Sequence, residues 1–95
     1  MARTISPSTV KSKLMGRDPV TVLDVREIHE YRAGHIEGAK LIPLDTLAHR
    51  THELKRDDEI LVICRSGNRS TEAAQILEQC GFYNVWSVEG GYEAL

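Results

Sequence analysis

The sequence predicts an α/β domain built on a parallel sheet with helices on both faces. Three observations carry that expectation. Apolar strand-like runs alternate with helical segments along the chain, the pattern of parallel strands joined by crossover helices. The runs Val20-Thr21-Val22-Leu23-Asp24-Val25 and Ile60-Leu61-Val62-Ile63 are almost continuously apolar, as strands buried on both faces require. Finally, 95 residues leave room for one domain, spanning 1–95, with a modest core and short connections.

The elements follow in order. Ser6-Pro7 reads as a helix start, because serine caps orphan amides and proline is tolerated in the first turn. Val10, Leu14 and Met15 are expected on its inner face, and Gly16 to end it. Residues 20–25 form a strand in which Asp24 breaks the apolar run near the C-terminal end. Residues 27–33 suit a short helix stopped by Gly34, and 39–44 a second strand. Asp45 is the expected cap of a helix over 46–54, followed by a charged turn over 55–59. Residues 60–63 are the most hydrophobic run and are expected to be the central strand. The helix over 70–80 turns Ala73, Ala74, Ile76 and Leu77 inward and stops at Gly81, and residues 84–88 make the last strand.

Composition narrows the function. The chain is 41% hydrophobic and 27% charged with a net charge of -2, which gives no electrostatic footprint for nucleic acid or an acidic membrane. Neither a signal-peptide run at Met1–Pro7 nor an apolar stretch of about 18 residues is present, so the expectation is a cytoplasmic protein. Two cysteines, Cys64 and Cys80, fall short of a disulfide scaffold and fit a reducing compartment. No apolar stripe is left over to demand a dimer, and a monomer is expected.

The informative unit runs from Ile60 to Cys80. A buried strand leads into Cys64-Arg65-Ser66-Gly67-Asn68-Arg69, which leads into a helix from Ser70. Such an arrangement aims consecutive backbone N–H groups and the positive end of a helix at one point beside the sulfur. Arg65 and Arg69 place two positive charges in a chain that is negative overall, and Ser66, Asn68 and Ser70 add donors. In such surroundings a cysteine pKa falls to roughly 3.5–7.5, and the thiolate is the nucleophile. The plain alternative is a structural cysteine before an arginine-containing turn. The glycine, two arginines, three donors and helix start occurring together favour the nucleophile.

At these residues the chain resembles the rhodanese family. Leu23-Asp24-Val25-Arg26-Glu27, Glu30-Tyr31 and Gly34-His35-Ile36-Glu37-Gly38-Ala39 look like its first signature, continued by Ile42-Pro43-Leu44. Cys64-Arg65-Ser66-Gly67-Asn68-Arg69-Ser70 is similar to the active loop of single-domain members. Gly81-Phe82 and Val88-Glu89-Gly90-Gly91-Tyr92 resemble the closing elements. The resemblance implies a rhodanese-like fold with a parallel sheet of about five strands. It also implies a thiosulfate sulfurtransferase working by ping-pong transfer, with no metal or organic cofactor. Cys64 takes a sulfane sulfur from a small anionic donor such as thiosulfate and passes it to cyanide, a thiol or a protein acceptor. By the same mapping Arg65, Ser66, Gly67, Asn68, Arg69 and Ser70 form the substrate cradle. Arg65 and Arg69 either attract the donor or pair with nearby acids. Asp24 and Arg26 read either as support for the active loop or as a structural ion pair, the ion pair being the simpler account. Family members commonly continue past the double glycine into a further helix, so this chain reads as shortened at its C-terminal end.

Other readings compete. A dual-specificity-type phosphatase loop has five residues between cysteine and arginine. Here four separate Cys64 from Arg69, a smaller ring that suits one sulfur better than phosphate. A non-catalytic rhodanese-like interaction module is the alternative from another class, weakened by the retained cysteine. His35 reads as a hydrogen-bonded structural histidine, and His49 with His52 as a solvated helix face. Cys80, ten residues along a helix from Ser70, stands about 15 Å from its start, too far for a disulfide to Cys64.

Overall fold

A computed structural model describes residues 3–95. The order is β1 (Arg3–Ile5), α1 (Pro7–Met15), β2 (Thr21–Asp24), α2 (Ile28–Ala33), β3 (Lys40–Leu41), α3 (Leu44–Arg50), β4 (Ile60–Ile63), α4 (Asn68–Gln79) and β5 (Val85–Val88). Short 3-10 turns occupy Thr51–Glu53 and Tyr92–Ala94. The five strands form one sheet in the order β1-β5-β4-β2-β3, with every pairing parallel. β4 is therefore the central strand, as its apolar run predicts.

Period-two alternation divides the core into two layers. Leu23, Ile60 and Val62 point to one face, where they pack with Leu47 of α3 and Ala73, Ala74 and Leu77 of α4. Val22, Leu61 and Ile63 point to the other, where they meet Ile5, Val10 of α1, Tyr31 of α2 and Tyr92. Ile60, Leu61 and Val62 are wholly buried, which explains why β4 shows no polar alternation.

The structure departs from the sequence reading in five places, one being the strand expected over 39–44, which shortens to Lys40–Leu41 because the chain turns at Pro43 into α3. β1 was not expected at its position: it is three residues long and buries only Ile5, too short to leave a periodic signal. Ser6 caps α1 as predicted, accepting the Thr9 amide at 3.2 Å, but its apolar face reduces to Val10. Leu14 is 39% and Met15 87% exposed. At 3.6 residues per turn Met15 lies about 140° around the helix from Val10, while Lys13, on the other side of Val10, is held to Glu59 at 3.1 Å. α3 starts at Leu44 behind Pro43, with Asp45 inside the first turn rather than at the cap. α4 starts at Asn68, so Asn68 and Arg69 are helical, not loop.

These placements separate two apolar side chains that look alike in sequence. Leu77→Ala is expected to cost about 2–5 kcal/mol in urea unfolding, as truncation of a filled core does. Met15→Lys is expected to stay within about 0.5 kcal/mol of wild type.

Candidate active site

Parallel strands bring the chemistry-bearing residues to one edge. β2 ends at Asp24, β4 at Ile63 and β5 at Val88, so Asp24–Arg26, Cys64–Ser70 and Glu89–Tyr92 meet at the C-terminal side of the sheet. Open α/β sheets hold their ligands at this side.

Cys64 follows the central strand directly and is 1% exposed. Its Sγ accepts the Gly67 N–H at 2.9 Å. Gly67 takes φ 114, a left-handed conformation that L side chains rarely adopt, and this turns its amide back onto the sulfur at the head of α4. The Ser70 hydroxyl stands 3.5 Å from Sγ. There it accepts from the thiol, and it would have to turn its own proton to the sulfur to serve a thiolate. Burial pushes the Cys64 pKa up, but the Ser70 hydroxyl and the Ser70, Gly67 and Ser66 amides outweigh it and hold the thiol below its ordinary value.

A second layer of hydroxyls lies beneath. Ser87 of β5 is buried and meets Ser70 Oγ at 2.7 Å, with Thr71 Oγ1 at 3.3 Å. Thr71 Oγ1 donates to the Gly67 carbonyl at 2.9 Å. Ser70 Oγ donates to the same carbonyl at 3.0 Å, so when Cys64 ionises Thr71 can keep the carbonyl, and Ser87 can donate to Ser70, while the Ser70 proton turns to the sulfur. Sequence reasoning missed Ser87, because a lone serine in a strand carries no signal until β5 and α4 are packed together.

The loop is clamped from both sides. Arg26 grips Asp24 with Nε 2.9 Å from Oδ1 and Nη2 2.8 Å from Oδ2, and Nη2 also donates to the Gly34 carbonyl at 2.8 Å. Both members are buried, so the ion pair of the simpler reading is present. The Arg26 guanidinium also lies 4.4 Å over the Tyr92 ring, and the Tyr92 N–H donates to the Cys64 carbonyl at 2.7 Å. Gly91, at φ 62, passes so close to Cys64 and Arg65 that a Cβ there would overlap their carbonyl groups.

Both loop arginines pair with acids. Arg69 binds Glu30 through two bonds of 2.7 and 2.9 Å, and Arg65 meets Glu93 at 3.4 Å. Arg69 holds the Glu30 carboxyl down at about 2, helped by the Glu27 amide. The side chains of Ser66 and Asn68 are exposed and make no hydrogen bond among the described residues, so of the expected side-chain donors only Ser70 reaches the sulfur. His35 Nδ1 bonds the Tyr31 carbonyl at 2.8 Å, and its ring stacks on Tyr31. Cys80 caps the far end of α4, while His49 and His52 are exposed. Surface clefts of about 330 Å³ at Lys13 and Glu59 and about 450 Å³ at His52 and Arg56 do not include Cys64.

The family model described as a rhodanese-like domain matches residues 6–95. The chain belongs to the rhodanese-like domain family. YrkF of Bacillus subtilis (strain 168), provisionally named a sulfur carrier protein, is 42% identical over 87 residues; the match covers 92% of this chain but 47% of that protein. The thiosulfate sulfurtransferase GlpE of Pseudoalteromonas translucida (strain TAC 125) is 34% identical over 82 residues, covering 86% of this chain and 78% of the relative. The crystal structure of a rhodanese-like domain protein from Staphylococcus aureus superposes with a TM-score of 0.92 at 34% identity, covering 97% of this chain and 89% of that one. At the level of the family these relatives support a sulfurtransferase. No helix among the described residues is long and apolar enough to cross a membrane.

Two measurements test this geometry. Ser70→Ala is expected to slow iodoacetamide alkylation of Cys64 at neutral pH by about tenfold, as losing a donor to a charged group implies. Ser87→Ala should slow it less, and the pH–rate profile should shift upward in both. Glu30 has a folded pKa of about 2 against an ordinary 4.5, so its stabilisation is complete above 4.5 and is lost as pH falls from there towards about 2. Glu30→Gln should flatten the acid-unfolding curve over that window.

Proposed function

We propose that this rhodanese-like domain is a sulfurtransferase that carries sulfane sulfur as a persulfide on Cys64. The observation that carries the reading is the 2.9 Å bond from the Gly67 N–H to a buried sulfur at the head of α4. Aimed amides of this kind stabilise a thiolate and, after transfer, the terminal sulfur anion.

The reaction has two displacements. The Cys64 thiolate attacks the outer sulfur of a donor such as thiosulfate. A Cys64–sulfur bond forms, the donor S–S bond breaks, and sulfite leaves with the electron pair. A nucleophilic acceptor (cyanide, a thiol or a protein thiolate) then attacks the terminal sulfur, and Cys64 departs as thiolate. Charge and atoms balance without metal, redox partner or organic cofactor.

In this reading Cys64 is the nucleophile, and Ser66, Gly67 and Ser70 supply donors to it. Asn68 and Arg69 shape the first turn of α4, while Arg65 guards the entrance. Asp24 and Arg26 position the loop through Tyr92. Engagement of Arg69 by Glu30 also argues against a phosphatase, which needs a free guanidinium to grip phosphate.

Incubation with thiosulfate should add one sulfur to the intact mass, and later cyanide should release thiocyanate. Both signals are expected to vanish in Cys64→Ala. A Cys64 that stays bare with thiosulfate and with a small-molecule persulfide alike would refute the assignment.

A further inference from the structure

The charges around the loop are arranged against the loop's own composition. Arg65 and Arg69 are the only charged residues in 64–70, yet each is met by a carboxylate, Glu93 at 3.4 Å and Glu30 at 2.7 and 2.9 Å. Arg26, the third cation at this edge, is taken by Asp24. Glu27 heads α2 within Coulombic reach of Arg69. Glu89 directly precedes Gly90, whose nitrogen lies 3.6 Å from where a Cβ on Gly67 would stand. Both are exposed, and neither joins a salt bridge among the described residues.

The field beyond the loop depends on where charges sit, not on how strongly each pair holds. An exposed pair such as Arg65–Glu93 adds little stability, yet it still cancels charge. Three cations set against five carboxylates leave the rim negative. That field reaches about 8 Å at physiological salt and about 30 Å at 0.01 M. Thiosulfate approaches as a dianion, whereas a persulfide on an otherwise uncharged thiol brings one negative charge or none.

We propose that Glu30 and Glu93 are specificity determinants: by cancelling the loop arginines they leave a rim that favours persulfide sulfur on a weakly charged carrier over small dianionic donors. The choice of donor rests on the sulfurtransferase reading above, while the charge of the rim rests on geometry alone. The Cys64 thiolate attacks the outer sulfur of R–S–SH, the donor S–S bond breaks, and R–S⁻ leaves with the electron pair. Cys64–S–SH keeps the proton.

The experiment compares Cys64 alkylation by anionic iodoacetate and neutral iodoacetamide, located by peptide mass mapping, on wild type, Glu93→Gln and Glu30→Gln/Glu93→Gln. Gln at position 30 still accepts the Glu27 amide that starts α2, and position 93 is exposed, so the fold is retained. In wild type the iodoacetate rate should rise about two- to threefold from about 0.01 M to about 0.15 M salt, as repulsion is screened. The iodoacetamide rate should barely move. The iodoacetate-to-iodoacetamide ratio should increase in Glu93→Gln and reach about fivefold in the double variant. An iodoacetate rate that falls with salt in wild type, or a ratio unchanged in both variants, overturns the proposal.

Sulfur loading supplies the second arm. Faster loading from the persulfide of an uncharged thiol than from thiosulfate, with the gap narrowing in the double variant, supports the assignment. Faster loading from thiosulfate in wild type overturns it. No loading from either donor, alongside the expected alkylation pattern, overturns the sulfurtransferase reading and the donor choice with it, leaving only the rim charge.

Discussion

A sulfur anion removed from water costs several kcal/mol unless donors replace its lost hydration. Cys64 is 1% exposed, and that constraint organises the edge of the sheet around it. The Gly67 amide at 2.9 Å, the neighbouring Ser66 and Ser70 amides and the Ser70 hydroxyl do for the sulfur what water would otherwise do. Their orientation in turn requires the left-handed backbone at Gly67 and the start of α4 immediately beyond it.

A cradle made of amides works only if the backbone stays where it is. The support comes from outside the loop. Asp24 fixes Arg26, Arg26 covers Tyr92, and the Tyr92 N–H holds the Cys64 carbonyl at 2.7 Å. The Glu93 N–H donates to the Arg65 carbonyl at 3.2 Å, extending the same clamp. On the other side Ser87 and Thr71 tie β5 to the first turn of α4. The buried Asp24–Arg26 pair therefore serves as more than a filled hydrogen-bond set, since it links the end of β2 to the carbonyl of the residue that bears the sulfur.

Two electrostatic tasks are kept apart. The sulfur is stabilised at short range by oriented dipoles, whose field falls away within the first turn of the helix. At longer range the arginines are matched by Glu30 and Glu93, and Glu27 and Glu89 turn the balance negative. A site can in this way favour its own thiolate without drawing every anion to its mouth.

Much of this was readable in residue order. The buried runs at 20–25 and 60–63 pointed to a parallel sheet with β4 at its centre, because only strands covered on both faces tolerate such continuous apolarity. A cysteine leading through glycine into a helix marked the loop, because backbone geometry there is local. The exposure of Leu14 and Met15, the strand at Arg3–Ile5, and the partners Glu30, Glu93, Tyr92 and Ser87 were not readable. Each depends on contacts between segments tens of residues apart: Arg69 with Glu30, Arg65 with Glu93, Ser70 with Ser87. Short-range order thus marked the Cys64 loop and the amides that face its sulfur. Only the packing of β2, β4 and β5 side by side decided which charges cancel around it, because salt bridges and hydrogen bonds across a sheet edge leave no periodic trace in the chain.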